Sequence, residues 1–234
     1  MTKRLEGRLA LITGASRGLG AAVAKRFAAE GAQVILLARS QEGLERMDDA
    51  IRQAGGAATL IPLDLRRFGQ IEQLAASVEQ RFGRLDILVS CAAVLGHLAP
   101  TGHIPVNVWR EVMDLNLVAN WHLLSAFDPM LRRAPAARAI FTTCEAARRA
   151  LPYWGAYAAS KAGLEAMVRV YANEIGQSAM RANLVDPGPM RTELRAAGFP
   201  FEDRATLKEP EAATDPFVEL AEAGCARNGE LIAL

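Results

Sequence analysis

Two short stretches of this sequence carry residue types that can do chemistry. The first is Tyr157-Ala158-Ala159-Ser160-Lys161, a phenol and an ammonium four residues apart in a segment of helical period. Residues at that spacing share one face of an α-helix, so both groups can point into a single cleft. A nearby positive charge stabilises phenolate and draws a tyrosine pKa down from about 10, which makes the group usable as an acid or a base nearer neutrality. Such a pair suits the interconversion of a carbonyl and an alcohol. The phenol protonates oxygen as hydride arrives at carbon, and phenolate takes the proton back in the reverse direction. The second stretch is Thr13-Gly14-Ala15-Ser16-Arg17-Gly18-Leu19-Gly20, which follows an apolar run and opens a helix. Its glycines allow a tight turn and bring backbone N–H groups against a pyrophosphate, and the helix N-terminus adds partial positive charge.

The end of the next apolar run, Val34-Ile35-Leu36-Leu37-Ala38-Arg39-Ser40, bears on which dinucleotide would bind. An NAD site places an acid there, about 20 residues past the glycines, to hold the ribose hydroxyls. Here alanine and arginine stand instead. A carboxylate would repel a ribose 2′-phosphate, whereas the Arg39 guanidinium can bond it in a forked, charge-assisted way, with Arg17 as a second cation. The expected cofactor is therefore NADP(H).

Other functions are disfavoured. The formal charge is +1 and the basic pairs are scattered among acids, so no nucleic-acid partner is expected. Cys91, Cys144 and Cys225 lie far apart without zinc or C-x-x-C spacing, which fits a reduced, cytoplasmic setting. His97, His103 and His122 have no ligand spacing, so no metal is expected. No run approaches the roughly 18 apolar residues of a membrane span.

The elements that must position these residues alternate. Strands are expected at 8–13, 33–38, 57–63, 85–90, 137–143, 180–186 and 229–234, and helices near 18–29, 41–54, 67–82, 106–131, 155–177 and 212–224. That order predicts an α/β fold of Rossmann type: a doubly wound parallel sheet of about seven strands, helices on both faces, in one domain over 1–234. The segment 188–211, dense in Pro, Gly and charge, is expected to be irregular and to serve as a substrate loop.

In combination, the glycine turn and the later Tyr157/Lys161 pair resemble the short-chain dehydrogenase/reductase family over essentially the whole chain. The resemblance implies an NADP(H)-dependent oxidoreductase acting on a small-molecule carbonyl or alcohol. It also extends the set of site residues. Gly14, Ser16, Arg17, Gly18, Leu19 and Gly20 would line the phosphates, and Asp64 with Leu65 would meet the adenine. Asn116 in Asp114-Leu115-Asn116-Leu117 matches the helix asparagine that completes the catalytic group and anchors a proton-relay water. Asn183 and Asp186-Pro187-Gly188-Pro189-Met190-Arg191-Thr192 match the segment whose threonine meets the nicotinamide carboxamide, so Pro187, Gly188 and Thr192 join the cofactor contacts. Tyr157 and Lys161 belong there too, Lys161 through the nicotinamide ribose.

Three departures from the family pattern stand out. Cys144 occupies the place of a serine 13 residues before the tyrosine, and the sequence leaves open whether Cys144, Thr143 or Thr142 supplies the missing hydroxyl's function. After the fourth strand, Ser90-Cys91-Ala92-Ala93 replaces Asn-Asn-Ala-Gly, which predicts lost hydrogen bonds to the ribose and central helix, and an alanine poorly suited to positive φ. The chain reaches Leu234 without the glycine-rich tail that joins subunits in many members, so a tail-mediated tetramer is not expected. The helices at 106–131 and 155–177 resemble the family's dimer-forming pair, and a homodimer is expected. Leu95, Leu151, Tyr153, Trp154, Pro189, Met190, Phe199 and Phe201 are expected to wall the substrate pocket, with Arg148-Arg149 near its mouth. The altered motifs leave one alternative open: a nucleotide-binding regulatory or scaffolding protein with little turnover.

Overall fold

The structure, a computed structural model, describes residues 3–234. Its frame is a seven-stranded, all-parallel sheet in the order β3-β2-β1-β4-β5-β6-β7. The strands are β1 (Leu9–Thr13), β2 (Gln33–Ala38), β3 (Ala58–Pro62), β4 (Ile87–Ser90), β5 (Arg138–Thr142), β6 (Arg181–Asp186) and β7 (Leu231–Ala233). Every residue of β1 is buried, as a strand covered on both faces requires. Its side chains alternate between two cores. Leu9 and Leu11 pack on one face of the sheet, Ala10 and Ile12 on the other.

The first face is covered by α3 (Phe68–Phe82), α5 (Ala119–Arg133) and α6 (Gly155–Glu174), and the second by α1 (Gly18–Ala29), α2 (Gln41–Gln53) and α8 (Asp215–Ala221). Below the sheet, the buried guanidinium of Arg138 donates to the carbonyls of Glu222, Ala223 and Cys225, closing the chain that follows α8. The strand order reverses between β1 and β4, and the crevice at their carboxyl ends is where such sheets bind ligands.

Three expectations change. The helix at 106–131 is unbroken but not α-helical throughout: α4 (Val106–Met113) passes through a wide π turn, Asp114–Val118, into α5. The segment 188–211 is not wholly irregular, since it holds α7 (Glu193–Gly198) and 3-10 turns at Arg204–Thr206 and Pro210–Ala213. The Thr192 hydroxyl starts α7 by accepting from Arg195 N at 3.2 Å, a cap that the loop's composition conceals. The last helix is shorter than 212–224, because Thr214 and the residues before it form a separate turn.

Candidate active site

One cleft of about 1120 Å³ runs along the carboxyl edge of the sheet, and residues from across the chain meet in it. At one end, β1 runs into the glycine turn. Gly14 has φ of +68°, and a side chain there would meet the Ala92 backbone at 2.9 Å, while one at Gly20 would stand 2.4 Å from the Gly14 carbonyl. Both glycines are thus fixed by close packing. Arg17 begins α1 in extended conformation without a side-chain cap, so no side chain takes up the first-turn N–H groups. Ser16, Gly18 and Leu19 complete this wall.

The rest of the nucleotide end comes from the tips of β2 and β3. Arg39 and Arg17 are exposed, and neither has an ion-pair partner among the described residues. The sequence missed their neighbour Arg46, which lies on α2 and also lines the cleft. Asp64 lines it with Leu65, but its carboxylate is already held by Arg66 at 2.7 Å, and that hydrogen bond pulls its pKa below the ordinary value.

The altered motif after β4 costs less than expected. Ser90 donates to Asn120, and Asn120 donates to the Asn116 carbonyl at 2.8 Å, so the tie to the central helix survives without the amide. Thr13 Oγ1 receives the N–H groups of Cys91 and Ala92, each at 3.2 Å. Ala93 is not in the positive-φ region, so the strain expected of it is absent.

At the other end the N-terminus of α6 brings Tyr157 and Lys161 to the cleft wall. Both are buried, at 5% and 3% exposure, and the Lys161 ammonium lies 5.9 Å from the Tyr157 ring centre. Lys161 donates to the Thr142 carbonyl at 2.8 Å, which clamps α6 to the end of β5. The three candidates for the serine's place differ in their partners. The Thr143 hydroxyl donates to Glu165 at 2.9 Å and the Thr142 hydroxyl to Cys91 at 3.3 Å, whereas the Cys144 thiol neighbours the Tyr157 hydroxyl.

The electrostatics correct one expectation. Burial pushes the Tyr157 phenol well above its usual value, and Cys144 and Asp186 push the same way. Burial lowers the Lys161 ammonium, partly offset by Cys144, Cys91 and Asp186. Desolvation therefore outweighs the attraction between phenolate and ammonium in the free protein. Tyr171, farther along α6, bonds Asp128 and is not part of the cleft.

Asn116 does not face the cleft. It is fully buried on the π turn, where Oδ1 accepts from Val94 N at 2.9 Å while Nδ2 donates to the Val94 carbonyl at 2.9 Å and Ser160 Oγ at 3.1 Å. Ser160 in turn donates to the Tyr157 carbonyl at 2.8 Å, so Asn116 positions the wall and the first turns of α6. Asn183 likewise ties β6 to the chain before β7, bonding Arg227 O and Glu230 N. Asp186 accepts from Gly188 N at 3.1 Å and sets the turn that presents Pro187, Gly188 and Thr192 to the cleft. Arg148 reaches the cleft, but its guanidinium is taken up by Glu165 and Asp186. Leu95, Leu151, Trp154, Pro189, Met190 and Phe199 wall this end as expected. Tyr153 and Phe201 do not, since they are 59% and 101% exposed.

The sequence model of the short chain dehydrogenase family matches residues 8–203. The "Uncharacterized oxidoreductase YciK" of Escherichia coli K12 is 36% identical over 209 residues, covering 88% of this chain and 82% of its own. A chain from Shigella flexneri 2a str. 301, solved complexed with NADP, is 34% identical with a TM-score of 0.95 and covers 100% of this chain and 99% of its own. A chain from E. coli CFT073, solved complexed with NADPH, is also 34% identical with a TM-score of 0.95, covering 100% and 98%. No helix among the described residues is long and apolar enough to cross a membrane.

Proposed function

The chain belongs to the short chain dehydrogenase family, and from that premise we propose that it is an NADP(H)-dependent oxidoreductase interconverting a carbonyl and an alcohol, with Tyr157 as the acid and base. The observation that carries this assignment is the shared cleft. Tyr157 and Lys161 line the same crevice as the glycine turn, so a dinucleotide held by the turn can extend to the phenol.

The residues present fit such a cofactor. The uncapped start of α1 and the N–H groups of Gly14 to Gly20 suit a pyrophosphate, and Arg17 with Arg39 suits a ribose 2′-phosphate. Leu65 and Asp64 border the adenine end, while Pro187, Gly188 and Thr192 border the nicotinamide end. The cofactor, when bound, supplies or accepts the hydride. The chain's own residues manage the proton. Tyr157 donates its hydroxyl proton to the substrate oxygen in reduction and recovers it in oxidation. Lys161, already fixed by Thr142, orients the ribose and offers its remaining N–H groups near the phenol. Cys144 donates weakly to the same oxygen, and Asn116 holds α6 and the Val94 wall in place.

The 188–211 segment is the substrate loop in this scheme, with α7 as its ordered part. Exposed Trp121 and Val170, on α5 and α6, support a homodimer through those helices. Three free cysteines suit the reducing cytoplasm. Turnover is tested by following NADPH absorbance against a panel of aldehydes and ketones, with Tyr157→Phe as control. Loss of turnover with retained NADPH binding in that variant is the expected result. A variant as active as the parent would remove Tyr157 from its role.

A further inference from the structure

The substrate end of the cleft is built from residues that pack against Tyr157 itself. Trp154 stands edge-on to the Tyr157 ring at 5.8 Å and tilted against Phe199 at 5.3 Å. Leu95, Ala146, Leu151 and Leu194 join the same cluster, so apolar groups from separate segments pack around Tyr157. The indole is also seated from below, because a side chain on Gly198 would come within 2.8 Å of its ring.

The backbone before Trp154 is strained in a way that serves this placement. Tyr153 has φ of +72°, the one non-glycine positive value among the described residues. A bulky residue held there is strained, and such strain gathers at functional sites. The turn is held by Ala99 N donating to the Tyr153 carbonyl at 3.2 Å and Trp154 N donating to that of Leu151 at 3.3 Å. Its effect is to send Tyr153 to solvent and Trp154 into the cleft.

Charge is distributed unevenly along the cleft. At the nucleotide end, Arg17 and Arg39 have no ion-pair partner among the described residues. At the substrate end the guanidinium groups are taken up: Arg148 by Glu165 and Asp186, Arg191 by Glu209, and Arg195 by Glu202. Arg195 is further stacked on Phe199, 3.7 Å from the ring centre. A carboxylate entering this chamber would lose its water to meet only the Lys161 ammonium, which is buried and already donates to the Thr142 carbonyl, and that exchange is costly. An uncharged ring would lose little and gain aromatic contact.

Resting on the oxidoreductase assignment above, we infer that the chamber takes an uncharged, bulky apolar carbonyl of the aryl or alicyclic class, and that Trp154 is the residue that selects it. Acetophenone and benzoylformate form the matched probes, since they share the aryl ketone and differ by a carboxylate. Both are titrated calorimetrically into the NADP⁺-loaded protein and assayed by NADPH absorbance. Acetophenone is expected to bind and to show a KM about tenfold below that of benzoylformate, a difference of about 1.4 kcal/mol. Trp154→Ala raises the acetophenone KM by about the same factor while NADPH affinity holds, and Trp154→Phe recovers most of the loss. Equal or better binding of benzoylformate, binding of neither probe, or indifference of acetophenone to Trp154→Ala overturns the inference. Preferential acetophenone binding without turnover supports the chamber and counts against hydride transfer instead.

Discussion

The thiol of Cys144 packs beside the side chain of Tyr157, at the end of β5 where family members carry a serine. Burial raises the thiol's pKa, so it stays protonated and can donate, but sulfur donates weakly. Cys144→Ser keeps the shape of the site and strengthens the donor. The expected gain in carbonyl reduction is about tenfold in kcat, corresponding to the roughly 1 to 1.5 kcal/mol of an ordinary hydrogen bond. Cys144→Ala should lower kcat. Steady-state NADPH oxidation measures both, and a serine variant no faster than the parent would show that oxygen stabilisation does not limit the rate.

The pH profile follows from the raised phenol. A group whose pKa lies above its usual value keeps its proton through neutrality and beyond. Reduction needs the phenol, so its kcat/KM should be flat from about pH 6 to about pH 9. Oxidation needs phenolate, so its kcat/KM should rise roughly tenfold per pH unit over the same range. Profiles in both directions test this. A reduction rate that falls away above about pH 7 would mean that Lys161 and the bound cofactor reverse the effect of burial.

How far the sequence reveals this molecule depends on the distance between cause and effect along the chain. β1 and the turn from Gly14 to Gly20 are legible because a short apolar run and its glycines act locally. Tyr157 and Lys161 are legible because helical periodicity places residues four apart on one face. The partners of Arg148 lie 17 and 38 residues away, so nothing near it in sequence distinguishes a cleft-mouth cation from a buried clamp. Asn116 is similar, since its amide is consumed by Val94 and Ser160 across the fold. Tyr153 and Phe201 have the composition of pocket residues, but both are exposed, Tyr153 through a positive φ that turns it outward. The phenol's pKa is misjudged from sequence for a related reason: Lys161 is visible there and desolvation is not.

Arg148 is a stabilising clamp with a measurable cost of removal. Its side chain is 35% exposed, but Glu165 and Asp186 are only 5% and 7% exposed, and Asp186 sets the turn at Gly188. Arg148→Ala leaves Asp186 buried without an ion-pair partner, while Glu165 keeps Arg169 at 3.1 Å. Breaking a fully buried pair costs about 3–5 kcal/mol, and the partial exposure of Arg148 reduces that to about 2 kcal/mol. Thermal melting should show a Tm lower by about 4–8 °C. Adding Asp186→Asn to that variant should restore part of the loss, because the stranded charge is gone. A double variant no more stable than the single one would place the damage elsewhere.

Cofactor choice turns on Arg39, an exposed cation at the tip of β2 beside the Asp64 end of the cleft, and close enough to help lower the Asp64 pKa behind Arg66. In Arg39→Asp the guanidinium is replaced by a carboxylate that repels a 2′-phosphate and can accept from the hydroxyls of an unphosphorylated ribose. Losing one charged hydrogen bond is worth about 1.5–3 kcal/mol, so the NADPH Kd should rise about 10- to 100-fold while the NADH Kd stays level or falls. Because Arg39 is exposed to solvent, the advantage of NADPH in the parent should also shrink as salt is added. Fluorescence titration of both nucleotides at low and high ionic strength measures each limb. If the parent bound NADH as tightly as NADPH at low salt, the cations at the tip of β2 and in the glycine turn would not be reading a phosphate.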